Sequence, residues 1–270
     1  LLQETLNEIT VGDQNESNIG VSRLRPVEGS AIYDAKKNEV INFENVTANL
    51  ATNNSRQIYG KIAGLNIWES DGAGVQLGLG GRGLSPNRNS NFNTRQNGYD
   101  ISADALGYPE SYYTPPLEAI DRIEMVRGAA SLQYGTQFGG MLNFRFKKGN
   151  ADKPIEVLLR NSAGSWGFFN TFTSVGGTLN KGKINYYSFF QYKRGDGFRE
   201  NSGFDAYNGY AAIEYKVTNR FKIEADYTKM NYLAQQPGGL TDKNFEDDIR
   251  ASFRERNWFN VDWNMASLSL

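Results

Sequence analysis

The sequence predicts two units in series: a small α+β domain, then antiparallel strands of a transmembrane β-barrel that does not close within the chain. Three observations carry this expectation. Past residue 155 the polar–apolar pattern has period two in six successive runs, whereas before residue 150 it is Gly-rich and mixes helical with strand spacing. The runs are joined alternately by short turns, "NKGK" and "TNR", and by long polar loops, "RGDGFRENSGFD" and "AQQPGGLTDKNFEDDIRASFRERN". No run of about 18 apolar residues is present, so a passage through a bilayer falls to strands.

At the start of the chain, "LLQETLNEITVGDQ" lacks the basic flank and apolar core of a signal peptide, which is expected to be absent or already removed. Within it, Leu6, Ile9 and Val11 lie in an extended-prone run ended by Gly12 and Asp13, suited either to strand addition or to a disordered tail. "SRQIYGKIAGLNIWES" predicts a short amphipathic helix running into a strand, with Ile58, Ile62 and Leu65 on one face. "GLGGRG" fits G-x-G-x-x-G at Gly78, Gly80 and Gly83, but a dinucleotide fingerprint must open a helix. The next residues are Pro-, Asn- and Ser-rich, so these glycines are expected to serve turns and close packing, with Arg82 as a buried hydrogen-bonding anchor. "PPLEAIDRIEMVRG" predicts a Pro-started helical turn and a strand from about Asp121 to Arg127. "AASLQYG" predicts a further helical turn capped by Gly135, and "GGMLNFRFK" a strand.

The six later runs are "KPIEVLLRN", "FFNTFTSVGGTLN", "KINYYSFFQYKR", "YNGYAAIEYKV", the run from Phe221 to Thr228, and "WFNVDWNMA". In the fourth, Tyr207, Gly209, Ala211, Ile213, Tyr215 and Val217 share a face opposite Asn208, Tyr210, Ala212, Glu214 and Lys216. Long strands with short turns at one end and long loops at the other fit an outer-membrane barrel. A soluble sandwich, whose strands average roughly 5 to 6 residues, is the alternative. Tyr186, Tyr187, Tyr192, Tyr215, Tyr227 and Trp258 suit interfacial girdles or ordinary cross-strand aromatic pairs.

Composition excludes more than it assigns. The net charge is −1, which gives no reason to expect a nucleic-acid partner. There is no Cys and no His, so thiolate and imidazole chemistry are gone, and no catalytic or metal-ligating set is predicted. The acidic run "LTDKNFEDDIR" misses the EF-hand spacing and its central Gly, and is expected to be a solvated loop.

"LGGRGL" at 79–84, "QNGYDI" at 96–101 and "LEAIDRIEMVRGAASLQYGTQFGGMLNF" at 117–144, followed by the barrel-like runs, resemble TonB-dependent outer-membrane receptors. "RGLSPNR…NGYDISADALGYP" resembles the ferric dicitrate branch. The resemblance implies a periplasmic segment at 1–20, a plug domain at 21–150 seated inside the barrel, and the first barrel strands at 151–270. "YGTQFGGMLNFRFKKG" is then the exit from plug to first strand, with Lys147 and Lys148 at the crossing, in a functional role or as a solvated basic turn. "ETLNEITV" is similar to the TonB box, which assigns Glu4, Thr5, Leu6, Ile9 and Val11 to coupling with a TonB-type protein in the periplasm. Arg82, Gly83, Arg127 and Gly128 fall in plug motifs with a structural role.

The resemblance further implies energy-coupled uptake of a ferric chelate, such as ferric citrate or another siderophore, by a protein surrounded by outer-membrane lipid. Its substrate site is expected in outward plug loops, 85–97 and 102–114. Arg88 and Arg95 are the leading ligands because a guanidinium fork matches a carboxylate bidentately. Asn91, Gln96, Tyr112 and Tyr113 orient the chelate. Iron arriving already chelated needs no protein ligands, so no cofactor is expected. A binding protein or transporter for a neutral ligand, such as an oligosaccharide, is the alternative, and an enzyme is not expected. Receptors of this kind enclose their plug with about 22 strands, whereas the residues after Asn150 make room for about six. The chain is therefore expected to be the plug and first part of a longer receptor.

Overall fold

The computed structural model describes the chain apart from residues 1–20, 29–30, 34–35, 70, 104–107, 109, 129–136 and 219. Its first unit contains β1 (Val21–Ser22), β2 (Val27–Glu28), β3 (Ala31–Ile32), β4 (Asn38–Asn42), α1 (Ser55–Tyr59), β5 (Leu65–Glu69), β6 (Leu77–Gly81), β7 (Phe92–Gln96), β8 (Tyr99–Asp100), β9 (Ile120–Arg127) and β10 (Gly140–Phe146). The second contains β11 (Glu156–Ala163), β12 (Phe169–Leu179), β13 (Ile184–Gly195), β14 (Phe204–Thr218), β15 (Phe221–Gln235), α2 (Asp242–Asp247) and β16 (Trp258–Ser269).

The first unit is built on a sheet ordered β1-β4-β9-β10-β7-β8, in which β7 runs parallel to β10 and the other pairs are antiparallel. The predicted helix is α1, whose N-cap Asn54 accepts a hydrogen bond from the Gln57 amide and which buries Ile58; it is shorter than expected, so Ile62 is buried from the turn after it and Leu65 is half-buried at the start of β5. The turn before β9 is a 3-10 turn at Leu117–Ala119. The "GLGG" run is strand β6 rather than a turn. A Cβ at Gly80 would fall 2.1 Å from the Leu84 carbonyl oxygen, and one at Gly78 2.8 Å from that of Trp68, so bare backbone is what lets neighbouring chain approach.

The six runs of the second unit form one antiparallel sheet in chain order, β11 to β16, with each strand paired to the next. Among the described residues it does not close: β11 pairs only with β12, and β16 only with β15. Alternation sets its two faces. On β14, Tyr207, Ala211, Ile213 and Tyr215 point outward and are exposed, while Asn208 and Tyr210 are buried against the first unit. Apolar side chains outward and polar ones inward is the lipid-facing arrangement. Tyr192 and Tyr207 face each other across β13 and β14 near the long-loop end of this face, where their rings stack at 4.7 Å and the Tyr192 hydroxyl donates to Asp205; Tyr227 lies lower, opposite Ala211, and donates to Asn264. On β15 and β16 the outward residues include Lys229, Leu233, Asn260, Asp262 and Asn264, with Lys229 paired to Asp262. Tyr187 does not join a girdle. It faces inward and is buried, because it lies an odd number of residues from the outward Tyr186 and Tyr192.

One core joins the two units. Leu142, Phe144 and Phe146 of β10 pack with Phe172, Tyr187, Phe189 and Tyr210 of the wall, the Phe146 and Tyr210 rings meeting edge to face at 4.6 Å. Polar pegs surround it. The buried carboxylate of Glu118 accepts from Asn170 and Gln191, Gln96 donates to Thr228, and Tyr99 donates to Asp226. At the short-turn end Lys148 bridges Glu214 at 2.6 Å and Glu224 at 3.2 Å, while Lys147 donates to the Glu118 carbonyl. Both exit lysines are therefore committed to contacts.

Candidate functional site

At the long-loop end two loops of the first unit meet the wall. In "SPNRNSN" a 3-10 turn spans Asn87–Asn89 after Pro86. Arg88 (φ 43°) and Asn89 (φ 57°) both adopt left-handed backbone, a conformation that Asn tolerates and Arg pays for. The turn is held because Asn89 is fully buried and donates to Thr94 at 2.8 Å, while the Arg88 carbonyl accepts from the Ser111 amide at 2.8 Å. Strain of this kind persists only where surrounding contacts fix it. Here it aims the guanidinium across to the second loop.

The Arg88 fork grips Glu110 at both oxygens, Nε to Oε2 at 2.8 Å and Nη2 to Oε1 at 3.2 Å. The Tyr112 hydroxyl donates to the same carboxylate. The guanidinium lies 5.9 Å from the Tyr112 ring centroid and 5.5 Å from that of Phe259, at the start of β16, and the two rings are 5.6 Å apart. Tyr232 of β15 anchors the loop by donating to the Tyr112 carbonyl at 2.8 Å. Burial pushes the Glu110 carboxyl up, but hydrogen bonds from Arg88 and Tyr112 with the Arg88 charge outweigh it and hold it below its ordinary value. The Tyr112 hydroxyl is pushed up to about 12, by burial and then by its bond to Glu110. The result is a cation held between two aromatic faces, with its charge met by one partly exposed carboxylate.

The other expected ligands go elsewhere. The outward loop ends at Asn91, because residues 92–96 are the buried strand β7 and not loop. Asn91 ties that loop by donating to the Ser85 carbonyl at 2.9 Å. Arg95 donates to the Gly98 carbonyl at 2.7 Å and to Asn93 at 3.0 Å, closing the β7–β8 turn, so the two arginines do not converge. Gln96 is buried against the wall and Tyr113 is buried in the core, since alternation turns Tyr113 away from the face that Tyr112 presents. Of the expected set, Arg88 and Tyr112 are the pair that meets. Glu110 and Phe259 complete the cluster without having been expected. Glu110 stands inside the quoted loop "ALGYPESYYTPP", where an acidic residue is a poor candidate for an anion site, and Phe259 lies on another unit with nothing local to connect it.

The structural positions divide similarly. Arg127 is buried, donating to Glu39 at 2.9 Å and to the Ala63 carbonyl at 2.8 Å. Gly83 (φ 80°) and Gly128 (φ 63°) occupy left-handed backbone. Arg82 is exposed, not buried as expected. Its own backbone is left-handed (φ 56°), which turns its side chain over Gly128, where a Cβ would lie 2.6 Å from Nη1. Glu4, Thr5, Leu6, Ile9 and Val11 lie outside the described residues. A second cavity of about 730 Å³ opens at the short-turn end, lined by Arg122, Arg145, Lys148, Glu214 and Glu224 among others. These five side chains are paired with each other or with Glu124, so this end is a contact layer between the two units.

Residues 35–141 match the family model described as the TonB-dependent receptor plug domain. Solved structures extend the likeness over both units. The ferric citrate transporter FecA in its unliganded form is similar with a TM-score of 0.74 at 25% identity, covering 87% of this chain and 37% of that one. The copper transporter OprC gives 0.60 at 17% identity, over 82% and 33%. The alcaligin outer-membrane receptor FauA from Bordetella pertussis gives 0.58 at 16% identity, over 83% and 37%, and these last two share the fold alone. The chain spans about a third of the length of these structures. Its first unit thus carries the TonB-dependent receptor plug domain, and its second has the fold of part of an outer-membrane β-barrel wall.

Proposed function

We propose that this protein takes part in energy-coupled, TonB-dependent uptake of a ferric chelate, ferric citrate or another carboxylate-bearing siderophore, across the outer membrane. The observation that carries this reading is the Arg88 fork, presented at the long-loop end between the Tyr112 and Phe259 rings. In a barrel that end is extracellular. A guanidinium already gripping a carboxylate at both oxygens is a working demonstration of the recognition an anionic chelate needs. The similarity to a ferric citrate transporter at 25% identity agrees with it. Iron enters chelated on this reading, so the protein supplies no metal ligands, and no chemistry is done on the substrate. Coupling runs through residues 4–11 to a TonB-type periplasmic protein.

A second reading has one observation in its favour. Arg88 is met by Glu110, so the cluster has no net charge, and its partly exposed rings suit a neutral oligosaccharide. The experiment that separates the two is uptake and binding of radiolabelled ferric citrate by cells producing the intact receptor. Arg88→Ala abolishes both, while Ile9→Pro, which removes a backbone donor from the coupling run, abolishes uptake and leaves binding intact. Binding by Arg88→Ala at the wild-type level sinks the anionic reading, and uptake by Ile9→Pro at the wild-type rate sinks the coupling assignment.

A further inference from the structure

We propose that Glu110 is an internal stand-in for a ligand carboxylate: its two oxygens fill the two donors of Arg88 that an anionic chelate takes, and binding exchanges one carboxylate for the other. The inference rests on the anionic reading of the Arg88 site and adds the residue that sets its selectivity.

Comparison with the other acidic residues of the plug carries the argument. Glu118 and Glu124 are fully buried, and side-chain amides donate to both, so neither is free to leave. Arg127, the partner of Glu39, is 7% exposed and also bonds a backbone carbonyl, which fixes it whether or not the carboxylate is present. The Arg88–Glu110 pair differs on both counts. Its side chains are 31% and 18% exposed, so solvent and solute reach it. Among the described residues, the Arg88 guanidinium donates to Glu110 alone. The carboxylate is not the cation's only hold: the Tyr112 and Phe259 rings and the left-handed backbone at Arg88 also fix its place. When Glu110 swings away, the fork stays aimed, and the Tyr112 hydroxyl is released with it as a second donor for the incoming ligand.

The exchange sets a threshold. A neutral chelate has nothing to offer Arg88 in place of Glu110 and does not open the pair. An isolated carboxylate replaces like with like and gains little. A chelate carrying several carboxylates displaces Glu110 with one and collects further contacts with the rest, so the site favours polycarboxylate chelates over simple acids.

The test measures equilibrium binding of ferric citrate, with a neutral ferric hydroxamate as control, to the intact receptor in isolated outer membranes. Glu110→Gln keeps the shape and an acceptor for Tyr112 but removes the competing charge. Ferric citrate then binds about tenfold tighter, the scale of one charge-assisted hydrogen bond, and the hydroxamate is unchanged. Weaker or unchanged ferric citrate binding overturns the proposal: weaker means that Glu110 positions Arg88, and unchanged means that the pair is not opened. Arg88→Ala is measured alongside. If it binds ferric citrate normally, the anionic site itself is wrong, whereas its loss together with no gain in Glu110→Gln rejects the stand-in alone. Should Glu110→Gln fail to reach the membrane, Glu110→Asp, with a shorter reach to the fork, gives a smaller gain of the same sign, and no gain there overturns the proposal equally.

Discussion

The two six-stranded sheets of this molecule obey the same period-two rule and point it in opposite directions. In the plug sheet both faces are covered, so β9 and β10 bury nearly every side chain and even Glu124 is sealed in with Arg122, Arg145 and Asn143. In the wall sheet one face is covered by the plug, and the other carries Ala211, Ile213 and Tyr215 outward. Alternation thus announces that a strand has two faces, and the medium on each side decides what each face may carry. In water the plug must hide apolar groups and pair its buried charges. In lipid the wall must show apolar groups and turn its Asn, Gln and Lys inward, as Asn170, Gln191 and Lys193 do.

The comparison can be broken most forcefully in the plug. Arg127→Ala removes a buried guanidinium and leaves Glu39 without its partner and the Ala63 carbonyl without a donor. Breaking such a pair costs about 3 to 5 kcal/mol, and the expected outcome is a plug that is digested by protease within an otherwise folded barrel. Arg127→Lys, which keeps the charge without the fork, rescues only part of the resistance. Wild-type resistance in Arg127→Ala places the plug's stability elsewhere.

The wall gives the next largest effect, and it depends on height. Ala211 lies on the outward face between Tyr207 and Tyr215, and Asn260, opposite Leu233 and through it level with Asp205, lies outward beyond the Tyr192–Tyr207 pair. Arg in place of Ala211 is expected to cost about 2 to 4 kcal/mol of barrel stability, and Arg in place of Asn260 about 0 to 1. Folding titrations of the two variants in lipid vesicles measure the difference. Equal costs would show that the Tyr192–Tyr207 pair does not mark the membrane boundary.

The smallest effect sharpens the comparison where plug and wall meet. Glu110 is held below its ordinary value of 4.5, so the stability it lends to the loop pair is present above that value and is lost as pH falls through the lowered one. The pair is partly exposed, so screening keeps the contribution modest. Faster hydrogen exchange at the Ser111 amide, which donates to the Arg88 carbonyl, is expected below that pH and not above it. A pH-independent exchange rate would mean that Arg88 and Glu110 do not hold the loops together.

Much of this was legible in the chain itself, because the informative quantities are local. Period two and the alternation of short and long connections predict six antiparallel strands, each of which is found within a few residues of its expected place. The helix at Ser55–Tyr59 and the turn before β9 follow from spacing and from Pro. Strand β7 was not legible, because "FNTRQ" is polar and reads as loop. It becomes a strand only because β10 lies beside it and offers a ladder of backbone partners. That one element decides the fate of Arg95 and Gln96, which it carries away from Arg88.

What the sequence determined by itself is the kind of molecule: the positions of the strands, the pairing of neighbours, and the presence of a fork-bearing loop between Pro86 and Asn91. These depend on contacts between residues close in the chain. Packing between distant segments settles which side of each strand meets lipid, and which loop residues share a site. Arg88, Glu110, Tyr112 and Phe259 come from three segments, and each turns toward the others because a buried anchor holds its loop: Asn89 on Thr94 and the Tyr112 carbonyl under Tyr232. Chain-local chemistry can supply a guanidinium. Only packing between distant segments can aim it, place a carboxylate in its fork, and set two rings against it.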